Sequence, residues 1–315
     1  MLKTSLLGVF LLIAAAYVHW LNQSASLTVA KPMLHFDHNQ NKSLRLLAFG
    51  DYGMGNENQE KVMRLVENIC QDRKVDGILL LGDNIYMDGV QSIHDPKWKS
   101  IIEGPFNKPC LSKLPLFPIL GNHDYKGNAD AQIEYSKIKE NWHFPSRFYS
   151  VKFGSLLEIV ALDSNFADVC LDKDNCVLDF AYERLNNKNT RWQIAMGHHP
   201  LMASSSKHSP GVQGLLLTPM FCRFDAYLAG HSHHLEHVKP NSCNGEFFIS
   251  GAGGADIYPV KEQISESKFA KSTYGILELE VDRSSITYKF IDTEMNELYR
   301  LDSKPIATRK TPTNL

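Results

Sequence analysis

The sequence predicts an α/β fold in which two packed mixed β-sheets carry helices on their outer faces. Two observations lead there. Five apolar runs (Leu47-Ala48-Phe49, Leu79-Leu80-Leu81, Pro118-Ile119-Leu120, Ile194-Ala195-Met196 and Tyr227-Leu228-Ala229) each end on a glycine followed by metal-liking side chains. In open α/β sheets, ligands bind just outside the carboxyl ends of the strands. Strand-like and helix-like segments also alternate as far as Gly245, whereas only strand-like segments follow it. That order suits two sheets packed face to face with helices outside.

Leu44 to Phe49 reads as a buried strand. Glu57 to Cys70 reads as a helix, because Val62, Leu65, Val66 and Ile69 recur at the spacing of one helical face. Ile78 to Leu81 is an unbroken apolar run, as expected of a strand covered on both sides. Ala129 to Trp142 is expected to be helical. Arg147 to Phe153 and Leu156 to Leu162 form two strands about the turn at Gly154-Ser155. Val177 to Leu185 is a second amphipathic helix, with Leu178, Ala181, Tyr182 and Leu185 on one face. Gln193 to Met196 and Asp225 to Ala229 are further buried strands. Glu246 to Ser250, Ser272 to Val281 and Ser285 to Ile291 are strand-like, and in the last of these Ile286, Tyr288 and Phe290 alternate with polar residues. These late strands are expected to complete the second sheet.

The chain has 315 residues, 43% hydrophobic and 22% charged, an ordinary globular composition. A net charge of −2 gives no reason to expect a nucleic-acid or anionic-membrane partner. Residues 1–30 stand apart. Lys3, the apolar run Leu6 to Val18 and the small polar residues Asn22 to Ser26 have the layout of an export signal. The competing reading is an uncleaved membrane anchor, against which His19, Asn22, Gln23 and the serines weigh, since a span needs about 20 apolar residues. Export implies a periplasmic, secreted or lumenal protein, with membrane contact only if this segment is retained. A short leader covers 31–43, one domain covers 44–303, and a tail covers 304–315. The six cysteines suit an oxidising compartment. Cys170 and Cys176 flank a polar loop, Cys222 and Cys243 flank the last histidine motif, and Cys70 and Cys110 either pair or stay free; the pairing is left open. The CxxC spacing of a zinc or redox site is absent from the sequence.

The chemistry lies in the motifs. Asp51 and Asp83 offer carboxylates, Tyr86 a phenolate, Asn122 a carbonyl oxygen, and His198, His231 and His233 imidazole nitrogens. Seven donors are too many for one tetrahedral ion and suit two ions sharing a bridging group. The tyrosine points to a trivalent ion. Phenol ionises near pH 10 in water, so a phenolate at neutral pH needs a strong Lewis acid such as Fe(III) beside it. The remaining donors suit a divalent ion: iron, zinc or manganese.

The series GDYG, GDNIY, GNHD, GHHP and GHSH resembles the calcineurin-like metallophosphoesterase superfamily. The tyrosine of GDNIY, together with Gly53 where most relatives carry histidine, resembles its purple acid phosphatases. Gln132 to Phe153 and Ser250 to Gly254 are similar to segments of the small, mammalian-type tartrate-resistant members, and the similarity extends over residues 44 to 300. The resemblance implies a four-layer αββα sandwich and hydrolysis of small phosphomonoesters, with metal-activated hydroxide as the nucleophile. It implies Asp51, Tyr86 and His233 on the ferric ion, Asn122, His198 and His231 on the divalent ion, and Asp83 as the bridge. Asn122, His123 and His208 would contact substrate, and His199, a departure from the family, adds a substrate contact or nothing. His123 and His208 would handle protons, with Asp124 orienting the His123 ring. His199 stands where the family usually has tyrosine. A phosphodiesterase on the same centre is the alternative, with an iron-redox protein a more distant one.

Overall fold

The structure, a computed structural model, describes residues 32–39, 41–165, 176–205, 207, 211–241, 243–260 and 262–306. His208, the leader through residue 31, the tail beyond residue 306 and Cys170, one of the candidate disulfide partners, lie outside them.

Two sheets form among the described residues. In chain order the strands are β1 (Met33–Phe36), β2 (Leu44–Phe49), β3 (Gly77–Leu80), β4 (Leu116–Pro118), β5 (Tyr149–Phe153), β6 (Leu157–Ala161), β7 (Trp192–Met196), β8 (Ala226–Ala229), β9 (Leu235–Val238), β10 (Glu246–Ser250), β11 (Ser267–Lys271), β12 (Gly275–Val281), β13 (Ile286–Asp292) and β14 (Glu297–Ser303). A six-stranded sheet runs β14-β13-β12-β2-β3-β4, and an eight-stranded sheet runs β1-β5-β6-β7-β8-β10-β9-β11. The helices are α1 (Glu57–Asp72), α2 (Ala129–Tyr135), α3 (Val177–Asn186) and α4 (Gly211–Phe221).

Strand alternation builds the layers. Leu157, Ile159, Trp192, Ile194, Ala226 and Leu228 point into one apolar core shared with Leu46, Leu79, Leu277 and Tyr288 of the other sheet. Their neighbours Val160, Ala195 and Tyr227 point the other way, onto Phe180, Ala181, Leu217 and Phe221 of α3 and α4. A period-two side-chain pattern thus fills both faces of the eight-stranded sheet. The apolar face of α1 continues the central core. Its start is capped by Asn56, whose Oδ1 accepts from the Gln59 amide at 2.9 Å.

Three expectations need correction. The helix from Ala129 stops at Tyr135 instead of reaching Trp142. Ile138 is 57% exposed, so no apolar face remains to bury. The chain turns instead, and Trp142 donates from Nε1 to the Gln132 carbonyl at 2.9 Å. The strand expected from Ser272 begins at Gly275. It also joins the first sheet, pairing antiparallel with β2 and covering that strand's open edge; only β10 of the late strands lies beside β8. Strands β1, β9, β11 and β14 and helix α4 add to the elements expected. Cys70 bonds Cys110 and Cys222 bonds Cys243, tying the end of α1 to the loop before β4 and α4 to the turn before β10.

The layout brings the carboxyl ends of β2, β3 and β4 against those of β7 and β8. The seam closes where the Gly50 amide donates to the Ser250 carbonyl at 2.8 Å. Gly121 sits in it with no room to spare: a Cβ there would meet Asp83 Oδ1 at 2.2 Å and the Asp83 nitrogen at 2.3 Å. Gly121→Ala is therefore expected to cost about 1–3 kcal/mol, the usual range for overpacking. Thermal unfolding should show a melting temperature lower by several degrees; an unchanged one would mean the loop can give way.

Candidate metal centre

Three of the expected ligands hold a backbone conformation that side chains seldom adopt. Asp51, Asp83 and His231 have φ of 57°, 50° and 65°, and each directly follows the glycine that ends its strand. Such residues cost about 1–3 kcal/mol apiece and persist only where the surroundings enforce them. Here hydrogen bonds do so. The Asp51 amide donates to the Gly82 carbonyl at 3.0 Å. The His231 amide donates to Asp51 Oδ2 at 2.7 Å, and the His123 amide to Asp83 Oδ1 at 2.8 Å.

The turns aim the side chains into two adjoining groups. In the first, the Tyr86 hydroxyl lies 3.1 Å from Asp51 Oδ1 and 3.2 Å from His233 Nε2, and His233 Nε2 lies 3.3 Å from Asp51 Oδ1. In the second, His198 Nε2 lies 3.2 Å from both Asn122 Oδ1 and His231 Nδ1. Asp83 joins them. Its Oδ2 is 3.5 Å from His198 Nε2, its carboxylate also meets the Tyr86 hydroxyl, and donor atoms of Asp51, Asp83 and His198 fall within 4.8 Å of one another. All seven expected metal ligands are thus together.

Two of the imidazoles are already set as ligands. His198 donates from Nδ1 to the Leu81 carbonyl at 2.8 Å, and His233 from Nδ1 to the Asp256 carbonyl at 2.7 Å. Each bond keeps a proton on Nδ1, so that Nε2 is the nitrogen left for a cation once its own proton is shed, the usual arrangement behind a metal-binding histidine. The electrostatics agree. Burial and then the charges of Asp51 and Asp83 push the Tyr86 hydroxyl far above its ordinary value. Burial works against a charged His198, but the charge and hydrogen bond of Asp83 overrule it and take the ring up to about 10. Burial would raise Asp83, yet His198 and the His123 amide hold it below the usual carboxylate range. Protonated His198 and His233 offset the two buried carboxylates, and a neutral Tyr86 adds no further negative charge, until cations take over that balance. The residues fit a pair of metal ions in donor type, tautomer and charge.

The remaining expected residues divide. His123 stands at the rim with its ring 4.4 Å from that of Tyr86. Its Nδ1 donates to the Met87 carbonyl at 2.7 Å, and Lys126 Nζ lies 3.1 Å from the same nitrogen. Asp124 does not orient that ring. It is fully buried, and its carboxylate accepts from the amides of Gly121, Asn84 and Ile85 at 2.8, 3.1 and 3.2 Å and from Gln132 Nε2 at 2.7 Å. It ties the GDNIY turn to the GNHD turn, a framework role. Burial, and then the Asp83 charge, push its carboxyl up to about 7 against those four donors. His199 is half-buried, with its ring 4.5 Å from that of His231.

The sequence reading missed several supports. Asn84, inside GDNIY, donates from Nδ2 to the Ile119 carbonyl at 2.7 Å and to Gln132 Oε1 at 3.0 Å. Its place in a motif was the signal. Tyr258 stacks on His233 with ring centroids 4.1 Å apart, and Lys207 Nζ lies 4.1 Å from the far ring's centroid. Neither has a local sequence signal.

A family model of calcineurin-like phosphoesterases matches residues 44–235. The chain is 32% identical to human tartrate-resistant acid phosphatase type 5 over 244 residues, covering 67% of this chain and 73% of the relative. The rabbit protein of that name is 31% identical over 240 residues, with the same coverage. Purple acid phosphatase 4 of Arabidopsis thaliana is 26% identical over 290 residues, covering 84% and 85% of the two chains. Among solved structures, the fold is similar to GAP50, the anchor in the inner membrane complex of Plasmodium (TM-score 0.75, 22% identity, 85% of this chain and 90% of that one). It is also similar to purple acid phosphatase PPD1 of yellow lupin (TM-score 0.66, 16% identity, 84% and 54%).

Because ligands must shed their protons to bind a cation, metal loading has a fixed sign with pH. His198 stays protonated below about 10 in the metal-free protein, so cation affinity should climb as pH rises between about 5 and 8. Calorimetry in two buffers of different ionisation enthalpy should register proton release. Affinity that ignores pH would contradict this charge balance.

Proposed function

The chain belongs to the calcineurin-like phosphoesterase family and is a phosphoric monoester hydrolase; we propose that it is an exported acid phosphatase working at a dinuclear centre of Fe(III) and a divalent iron, zinc or manganese. The observation that carries this reading is the meeting of two donor groups, Asp51-Tyr86-His233 and Asn122-His198-His231, on either side of Asp83. The first group would hold the ferric ion, the second the divalent ion, and Asp83 would touch both. Bound there, the cations would supply Lewis acidity toward phosphate oxygens and water in mild acid.

The protein's own residues do the rest. The Asn122 and His123 side chains lie on one turn after β4, beside His198 and Tyr86, and in this reading they contact the ester phosphate. His123 donates from Nδ1 to the Met87 carbonyl, so Nε2 is the atom that would hold a proton for the departing alkoxide. The Asp124 bonds keep this turn from drifting relative to Asp83. Tyr86 argues for the ferric ion: its hydroxyl is buried between two carboxylates, and only a strong cation alongside would make it give up its proton. Two disulfides among the described residues support an oxidising compartment. No described helix is long and apolar enough to cross a membrane.

Purified metal-replete protein should hydrolyse p-nitrophenyl phosphate much faster than its bis-ester; the reverse ranking would favour a diesterase. His123→Ala should lower kcat by about 10²–10⁴-fold, the range of general acid help, with metal content unchanged. The protein should be violet from phenolate-to-iron charge transfer, and Tyr86→Phe should bleach it. A colourless protein with full activity on zinc or manganese alone would remove the ferric ion but keep the phosphatase.

A further inference from the structure

We propose that His199 is a third imidazole ligand for the cation held by His198 and His231, and that it biases this position toward zinc and other nitrogen-preferring ions and away from manganese. The inference rests on the dinuclear reading above and deepens it at one position.

The geometry is specific to this ring. One ring nitrogen each from His198, His199 and His231 lie within 4.8 Å of one another. The His199 ring centroid is 4.5 Å from that of His231 and 5.0 Å from that of His198. Its backbone is held on both sides: the amide donates to Ser164 Oγ at 2.9 Å, and the carbonyl accepts from the Tyr227 hydroxyl at 2.8 Å. Ser164 Oγ also meets His199 Nδ1 at 2.8 Å. Ser164 Oγ, which already accepts from the His199 amide, would accept from Nδ1–H as well and leave the Nε2 lone pair for the cation. Gly197 permits this clamp, since a Cβ there would meet the Tyr227 hydroxyl at 2.4 Å.

Donor chemistry gives the consequence. With His199, the divalent position has three imidazoles, the Asn122 carbonyl and the Asp83 carboxylate. Without it, oxygen and nitrogen donors are balanced. Imidazole suits zinc, copper, nickel and iron, whereas carboxylate and carbonyl oxygens suit manganese and magnesium. Tyrosine in place of His199 would take away the added nitrogen.

The test is a metal competition and needs no turnover. Metal-free wild type, His199→Tyr, His199→Gln and Ser164→Ala are given one equivalent of ferric ion, then dialysed against equal Zn(II) and Mn(II), and bound metals are counted by mass spectrometry. The expected zinc-to-manganese ratio is about tenfold higher in wild type than in either His199 variant, the lower end of what ligand-shell changes do to metal affinity. Ser164→Ala should fall between. The cobalt-substituted protein should also show a different visible spectrum in wild type and in His199→Gln, because the donor set at the ion changes. Equal ratios and matching cobalt spectra, with two cations bound in every variant, would overturn the His199 assignment and leave the dinuclear centre standing. A wild type holding fewer than two cations would end both. A variant that keeps the wild-type ratio but binds inorganic phosphate more weakly would make His199 a phosphate contact, and the proposal would fall.

Discussion

The structure turns on placing Asp51 and Asp83 side by side where water hardly reaches. Both carboxylates are essentially buried, and burial alone penalises their charge. What makes the arrangement tolerable is positive charge delivered locally, by the imidazoles of His198 and His233, which these carboxylates favour in charged form, or by cations in their stead. The rest follows from holding those groups still. Left-handed φ angles at Asp51, Asp83 and His231 aim the side chains inward. Backbone amides take up carboxylate lone pairs, and Leu81 and Asp256 carbonyls hold the imidazoles in one tautomer.

The two-sheet architecture makes that concentration of polar groups affordable. The apolar core between the sheets is continuous, and the polar cluster is confined to one rim of it. Short turns off buried strands leave the donors few rotamers, because the strand ends on which they stand cannot move. Asp124 extends the same logic sideways. A carboxyl with five donors from three segments is a brace, and its neighbour His123 keeps its ring for the rim.

Much of this was legible in the sequence. The five strand-glycine-ligand motifs placed the seven donors together, and the buried strands of both sheets read as apolar runs. What escaped detection had physical reasons. Strand β9 holds Glu236 and His237, buried through hydrogen bonds to His234, Ser204 and Tyr299 that no local pattern announces. Strand β14 is half exposed and carries mixed residues on an edge. The Ala129 helix ends at Tyr135, short of Trp142, because Ile138 has no surface to bury. Asp124 braces two turns instead of orienting the His123 ring, because its donors come from Asn84, Ile85 and Gln132 as well as Gly121, residues that no local pattern links to it. His199 was visible as a departure, but its clamp depends on Ser164 and Tyr227, which are remote in sequence.

The seam between the strand ends has one more implication. Asp51, Asp83 and Asn122 come from one sheet, and His198, His231 and His233 from the other, so a bound ion pair would rivet the layers together. Sliding of one layer over its mate, a common way for enzymes to open and shut, would tear the rivet out. What such a rivet leaves able to vary are side chains bordering the donors, His123 beside Met87 and Tyr258 beneath Lys207. Differences in preference between this protein and its kin should be sought in those few side chains, and not in the movement of halves.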